Sequence, residues 1–236
     1  MQSHLLGRFG QMIWQIDLPY PHITESLHLD LGSGSQPRNP FSAEKLIGVD
    51  IFEEPPEGFS IEFQYVRADI TKRLPFQDTS FNSVSAYDVL EHVPRWERIN
   101  GEIKFPFVSL MNEIWRILKP GGFFYAVTPM FPSISAFGDP THVNVISRET
   151  ISYFANPTRY ASTLGYGFEG EFEILHSGWL RGAGPYDRKV SLRHAITESR
   201  SLTQKVYFSV KLARRFVLLL VKRKPSHTLW VLRKPN

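Results

Sequence analysis

Apolar positions along the chain fall into two patterns. Short unbroken runs at Leu27–Leu31, Lys45–Asp50, 62–66, Phe81–Tyr87 and 123–128 show little polar alternation. Such runs predict strands of a parallel sheet buried on both faces. Residues 102–118 instead space apolar side chains at Ile103, Phe107, Leu110, Met111, Ile114, Trp115 and Leu118, which predicts an amphipathic helix. Lys119-Pro120-Gly121-Gly122 is expected to stop it. Two further strands are predicted at 171–175 and His227–Arg233. The connection 179–226 begins with a loop-like stretch at 181–187. It continues as a predicted helix over 202–224, with Val206, Val210, Ala213, Val217 and Leu220 at 3-4 spacing. Strands alternating with helices and turns define an α/β fold with helices on both faces of the sheet.

Composition sets the outer bounds. The 236 residues suit one domain, here 1–236, with an N-terminal extension over 1–26 and an insertion over 179–226. The chain has no cysteine, which excludes disulfide scaffolds, thiol nucleophiles and thiolate metal centres. The net charge of +4 hides an asymmetry. Ten basic residues and no acid follow Glu198, so the rest holds 17 basic against 23 acidic residues. A uniformly basic nucleic-acid binder is therefore a poor description. The basic helix is open to three readings: contact with a membrane surface through 202–224, attraction of an anionic acceptor, or packing on the body or on a second copy in a homodimer. No apolar run approaches the roughly 20 residues that span a bilayer, and the N-terminus lacks a secretory pattern. A cytoplasmic protein is expected.

The chemistry concentrates at strand ends. Asp30-Leu-Gly32-Ser33-Gly34 places a glycine turn after the first strand, where open α/β sheets let ligands approach the backbone. Asp50, with Ile51, ends the second strand, where a carboxylate can accept both hydroxyls of a ribose. Pro37 takes the place of the third glycine of a dinucleotide fingerprint, and Pro37 and Pro40 leave little room for a first helix. A pyrophosphate site and a nicotinamide enzyme are disfavoured accordingly.

Taken in order, Asp30-Leu-Gly-Ser-Gly34, Gly48-Val-Asp50, Ala68-Asp69, Leu74-Pro-Phe-Gln-Asp78-Thr-Ser-Phe81, Asp88-Val-Leu-Glu-His92-Val and Arg116-Ile-Leu-Lys-Pro-Gly-Gly122 resemble the motifs of class I S-adenosylmethionine-dependent methyltransferases of type 11. The resemblance covers about residues 27–130 and implies a seven-stranded sheet with an antiparallel last strand. It implies S-adenosyl-L-methionine as cofactor, with Gly32, Ser33 and Gly34 under its methionine part and Asp30 near its amino group. Asp50 with Ile51 would hold the ribose, Asp69 with Ile70 would meet the adenine, and Asp88 with Val89 would line the methyl side. The chain departs from the pattern at Gln36, at the missing first helix and at Asn82, the last expected to affect only surface packing.

The expected acceptor is a hydroxyl of a small molecule or a glycan. Its methylation calls for a base near pH 7, for which histidine is suited. His92 follows the fourth strand. His142, in Gly138-Asp-Pro-Thr-His142-Val-Asn144, follows the fifth, in a segment similar to one in methyltransferases encoded with cell-surface sugar pathways. Both also read as structural residues, His92 capping or packing and His142 ordering its loop. Asp139 with His142 offers two metal ligands with no third in view, so no metal is expected. Phe131, Phe137, Trp96, Trp179 and Tyr186 are candidates for an acceptor wall, while Phe123, Phe124 and Tyr125 read as core. No Asn/Asp-Pro-Pro-Tyr motif follows the fourth strand, which disfavours a base-amine acceptor in nucleic acid. A silent relative that keeps the fold as a binding protein is the other alternative.

Overall fold

The structure is a computed structural model that describes residues 16–18, 26–53, 63–180, 190–192 and 226–236. Its strands are β1 (Ile16–Leu18), β2 (Leu27–Leu31), β3 (Lys45–Asp50), β4 (Gln64–Arg67), β5 (Phe81–Tyr87), β6 (Glu97–Ile99), β7 (Glu102–Lys104), β8 (Leu118–Pro129), β9 (Glu173–Leu180), β10 (Val190–Leu192) and β11 (His227–Arg233). Among the described residues two α-helices join them, α1 (Pro106–Ile117) and the single turn α2 (Tyr160–Thr163). Seven strands form one sheet in the order β4-β3-β2-β5-β8-β11-β9. β2, β3, β4, β5 and β8 pair in parallel, and β11 runs antiparallel to both β8 and β9. The seven-stranded sheet with an antiparallel last strand is thus borne out. From β2 the chain builds outward in one direction through β3 and β4, and later in the other through β5 and β8. That reversal opens a crevice at the carboxyl ends of β2 and β5.

Alternation along the strands divides the interior in two. Leu29, Leu31, Val84, Ala86, Phe124, Ala126, Trp230 and Leu232 face a large core closed by Phe107, Leu110, Met111, Ile114 and Ile117 of α1. On the other face Tyr87, Phe123, Tyr125, Val127, Leu229 and Val231 form a smaller core with Phe41. His28, Asp30, Ser83 and Ser85 occupy the same alternate positions of β2 and β5 and are buried.

Several boundaries differ from expectation, among them β9, which runs Glu173–Leu180 rather than 171–175. Residues 102–104 are a strand, not a helix start: β6 and β7 form a hairpin across Asn100 and Gly101, with φ of 50° and 86°. Positive φ at both loop positions is the geometry that Asn-Gly favours. Ile103, counted into the helical stripe, is 53% exposed in consequence. α1 begins at Pro106, whose missing N–H costs nothing in the first turn. The breaker Lys119–Gly122 is drawn into β8, and the carbonyls of Trp115 and Leu118 at the end of α1 both accept from Lys234 Nζ at 2.8 Å. Asn82 is buried rather than superficial, and its side-chain oxygen accepts from Leu27 N at 3.0 Å. The predicted helix 202–224 and loop 181–187 lie outside the described residues, as does nearly all of the extension 1–26. No helix among the described residues is long and apolar enough to cross a membrane.

Candidate functional site

The site is built on the carboxyl edge of the sheet, in two halves. In the first, Gly32 and Gly34 both adopt positive φ, 64° and 51°. A Cβ on Gly32 would lie 2.5 Å from Val89 Cγ2, so only glycine lets the turn pack against the end of β5. A Cβ on Gly34 would meet nothing within 4 Å, so the turn faces open space there. Asp50 braces the turn: Gly34 N donates to Oδ2 at 2.8 Å and Ile51 N to Oδ1 at 2.7 Å. Ser33 Oγ is buried without a hydrogen-bond partner among the described residues. Ala68 N donates to Asp50 O at 2.9 Å, which brings the end of β4 beside that of β3. Asp69 is exposed and accepts from Thr71 N and Oγ1, while Ile70 is in the core and Ile51 is exposed.

Beneath this half runs a buried polar chain. Ser85 Oγ donates to Asp30 Oδ1 at 2.5 Å, and Arg38 N donates to Asp30 Oδ2 at 2.7 Å. His28 Nε2 and Nδ1 lie 2.8 Å from Ser85 Oγ and 2.7 Å from Ser83 Oγ. Because Ser85 gives its proton to Asp30, it accepts from His28 Nε2–H, and Ser83 donates to the bare Nδ1. Burial pushes the Asp30 carboxyl up to about 7 and the His28 imidazole down to about 3. Both are therefore held toward their neutral forms. Asp30 is fully enclosed, so its main contacts are internal and fix the path of the chain from β2 to Arg38.

The second half gathers side chains distant in sequence. Asp88 has φ of 48° and its N–H donates to Val127 O at 2.9 Å, which joins the ends of β5 and β8. β11 is antiparallel, so its first residue reaches this edge, with His227 Nε2 3.4 Å from Asp88 Oδ1. Glu91 stands in a 3-10 turn after β5, only 1% exposed, and accepts from Thr128 Oγ1 at 2.9 Å. Its backbone oxygen accepts from both Val143 N and Asn144 N at 2.9 Å, while Asn144 Nδ2 donates to Leu90 O at 3.1 Å. These bonds clamp the loop after β8 onto the turn after β5 and bring His142 against His92, ring centroids 4.8 Å apart. Burial, with the Asp88 charge adding to it, raises the Glu91 carboxyl to about 7.

Thr141 Oγ1 donates to Asp139 Oδ1 at 2.6 Å and lies 3.0 Å from His92 Nδ1. A hydroxyl that donates to a carboxylate accepts from the ring, so His92 Nδ1 carries the proton and Nε2 presents its lone pair. His142 Nε2 lies 3.9 Å from Glu91 Oε1 and 3.9 Å from Asp139 Oδ2, beyond hydrogen-bond reach. His142 Nδ1 and Glu91 Oε1 are buried without hydrogen-bond partners among the described residues. The third group that the sequence did not reveal is thus Glu91: one ligand atom each of Glu91, His92 and His142 lies within 4.8 Å of the others. Glu91 and His227 are the residues that sequence reasoning missed. Glu91 stood inside the Asp88–His92 motif, whereas nothing in the sequence links His227 to Asp88. Among the aromatics, Phe131 and Phe137 are half-exposed with rings 6.2 Å apart, Trp96 and Trp179 are exposed, and Tyr186 lies outside the described residues.

Residues 29–126, less than half of the chain, match the methyltransferase domain family. The sterol 24-C-methyltransferase of Gibberella zeae is 37% identical over 68 residues, which is 29% of this chain and 15% of that enzyme. The chain therefore matches only a small part of its curated relative. Among solved structures, a chain from the complex of the Haloferax volcanii Trm112 methyltransferase activator with a methyltransferase superposes with TM-score 0.53 at 15% identity. That match covers 100% of this chain and 89% of the other. A SAM dependent methyltransferase from Archaeoglobus fulgidus gives TM-score 0.50 at 18% identity, covering 99% and 95%. At such identities the likeness concerns the fold.

The first half fits S-adenosylmethionine on its own geometry. The turn is open above Gly34, Ser33 Oγ is buried with its bonding capacity unused, and two carboxylates stand at adjacent strand ends.

Proposed function

We propose that this protein transfers a methyl group from S-adenosylmethionine to a hydroxyl oxygen of a small molecule or a glycan. The observation that carries this reading is the pairing, on one sheet edge, of the Gly32–Gly34 turn with the Glu91, His92 and His142 cluster. In this reading Gly32, Ser33 and Gly34 hold the methionine part, with Asp30 fixing the turn from beneath, Asp50 and Ile51 hold the ribose, Asp69 and Ile70 the adenine edge, and Asp88 and Val89 the methyl side. The bound cofactor supplies a methyl carbon on a cationic sulfonium, open to direct displacement by the acceptor. The acidic carboxylates at these strand ends suit that positive charge.

The chain's own work is alignment, which can supply most of the barrier reduction in such a reaction. His92 and His142 are the proposed catalytic residues. His92 offers Nε2 as a lone pair, held in that tautomer through Thr141 and Asp139. Phe131, Phe137 and Trp96 are exposed, and in this reading they supply apolar surface for an acceptor. A base-amine acceptor in nucleic acid is less well supported, because Asp88-Val-Leu-Glu91 stands where the amine motif would be. Membrane contact through 202–224, a homodimer and a cytoplasmic setting rest on the sequence alone and belong to the same proposal.

The test is transfer of labelled methyl to hydroxylated small molecules and oligosaccharides. The expected product holds its label through mild alkali, as an ether does. Label lost in mild alkali would mark a carboxyl acceptor and refute the hydroxyl assignment.

A further inference from the structure

The geometry points to a divalent transition-metal site formed by Glu91, His92 and His142. This deepens the proposed function and rests on its reading of this edge as the acceptor side. The three groups would meet the acceptor oxygen through a shared cation rather than as separate bases.

Four observations converge. First, the donors are two imidazoles and a carboxylate whose ligand atoms lie within 4.8 Å of one another. Second, Glu91 Oε1, on a side chain only 2% exposed, is buried with no hydrogen-bond partner among the described residues. Buried polar atoms are almost always paired, so an unpaired carboxylate oxygen beside two imidazoles marks a missing ligand.

Third, the separation suits a cation better than a direct pair. His142 Nε2 and Glu91 Oε1 stand 3.9 Å apart. That is too long for a hydrogen bond, yet close to the spacing of two donors that each lie about 2.1 Å from a shared metal. Fourth, the supports behind the donors are those of a metal site. Asp139 accepts from Thr141, which accepts from His92 Nδ1, so Nε2 faces outward. Thr128 holds the other oxygen of Glu91. Such outer contacts fix the tautomer and orientation of ligating groups. A cation there would also relieve the cost of an ionised carboxylate in a buried place.

Mixed nitrogen and oxygen donors select Zn²⁺, Mn²⁺, Fe²⁺ or Co²⁺ over Mg²⁺ and Ca²⁺, which take oxygen ligands. Three protein donors leave a coordination position open, and His92 lies at the exposed side from which an acceptor hydroxyl could take it.

The full-length protein, stripped with chelator, is titrated with Zn²⁺, Mn²⁺ and Co²⁺ by calorimetry, and the Co²⁺ form is followed by its visible absorption. The expected result is one equivalent bound, with a Co²⁺ spectrum characteristic of nitrogen ligation. Loss of a ligand should weaken binding by at least the 10–100-fold typical of lost outer contacts, in Glu91→Gln, His142→Ala and the exposed-site variant His92→Ala alike. S-adenosylmethionine affinity is measured on the same samples and is expected to persist in all of them. Failure of the wild type to bind any of the three ions, or equal binding by wild type and His92→Ala, overturns the metal site. Failure of the stripped or metal-loaded wild type to bind S-adenosylmethionine would overturn the methyltransferase reading instead.

Discussion

The two halves of the sheet edge are built by opposite means. Around Gly32, Gly34 and Asp50, backbone groups form the site and local bonds satisfy them: Asp50 receives the amides of Gly34 and Ile51 at 2.8 and 2.7 Å. Around Glu91, His92 and His142, side chains form it, and buried atoms are left unpaired. The backbone of the first half is fixed before any ligand arrives, with Ser33 Oγ still unpaired among the described residues. The second is organised around something still to bind. A cofactor used in every turnover suits a rigid cradle, whereas an acceptor suits groups whose bonding capacity is held in reserve.

The comparison can be broken most severely at Gly32. Alanine there would meet Val89 at 2.5 Å and sit at a φ of 64°. Gly32→Ala should lose cofactor binding altogether, with a stability cost of roughly 3 kcal/mol from overpacking and left-handed strain together. Calorimetry and thermal unfolding measure the two losses.

The opposite half should respond in rate alone. His142→Ala is expected to lower turnover by about 10²–10⁴-fold, the usual worth of a group that activates the acceptor hydroxyl, with cofactor affinity unchanged. Parallel loss of both would show that His142 only orders its loop.

The buried chain under the cofactor half gives a test in pH. Asp30 titrates near 7 in the folded state against 3.8 unfolded, so its stabilising contribution is full below pH 3.8 and is lost as pH rises to about 7. His28 titrates near 3 against 6.5, so its contribution is full above pH 6.5 and is lost as pH falls toward 3. The two slopes oppose each other across nearly the same window. Asp30→Asn should therefore unmask stability that rises with pH, and His28→Gln stability that falls, each by on the order of 3 kcal/mol. Denaturant unfolding between pH 4 and 8 reads both, and slopes of the same sign would contradict the pairing.

Smaller effects follow at the rim of the cradle. Asp50→Ala should weaken cofactor binding by about 1–3 kcal/mol, from lost ribose bonds and a loosened turn. Gly34→Ala carries only the left-handed cost of about 1 kcal/mol, since nothing lies within 4 Å of the new Cβ. A loss as large as at Gly32 would mean that ligand fills that space.

This division also decided what could be read from the sequence. The strand ends at Asp30, Asp50 and Asp88, and the turn at Gly32 and Gly34, are local features in which adjacent residues carry the whole signal. Strand β11 was legible for the same reason, as an apolar run buried over its central five residues. The second half joins Glu91 to residues 142–144 through bonds that span about 50 positions, and no periodicity encodes such a meeting. His227 reaches Asp88 only because β11 enters the sheet against the direction of its neighbours. The hairpin of β6 and β7 was signalled by Asn100-Gly101, but Ile103 fell in step with the helical stripe of α1 and masked it. The missing first helix was legible from Pro37 and Pro40, and no helix lies between β2 and β3 among the described residues.

The central claim is that the edge at Gly32, Gly34 and Asp50 holds S-adenosylmethionine. Calorimetric titration of the full-length protein with S-adenosylmethionine and with its demethylated product tests it most directly. The account predicts one equivalent of each bound, with affinity lowered in Asp50→Ala and abolished in Gly32→Ala. Absence of binding by the wild type, or equal affinity in all three proteins, would contradict it.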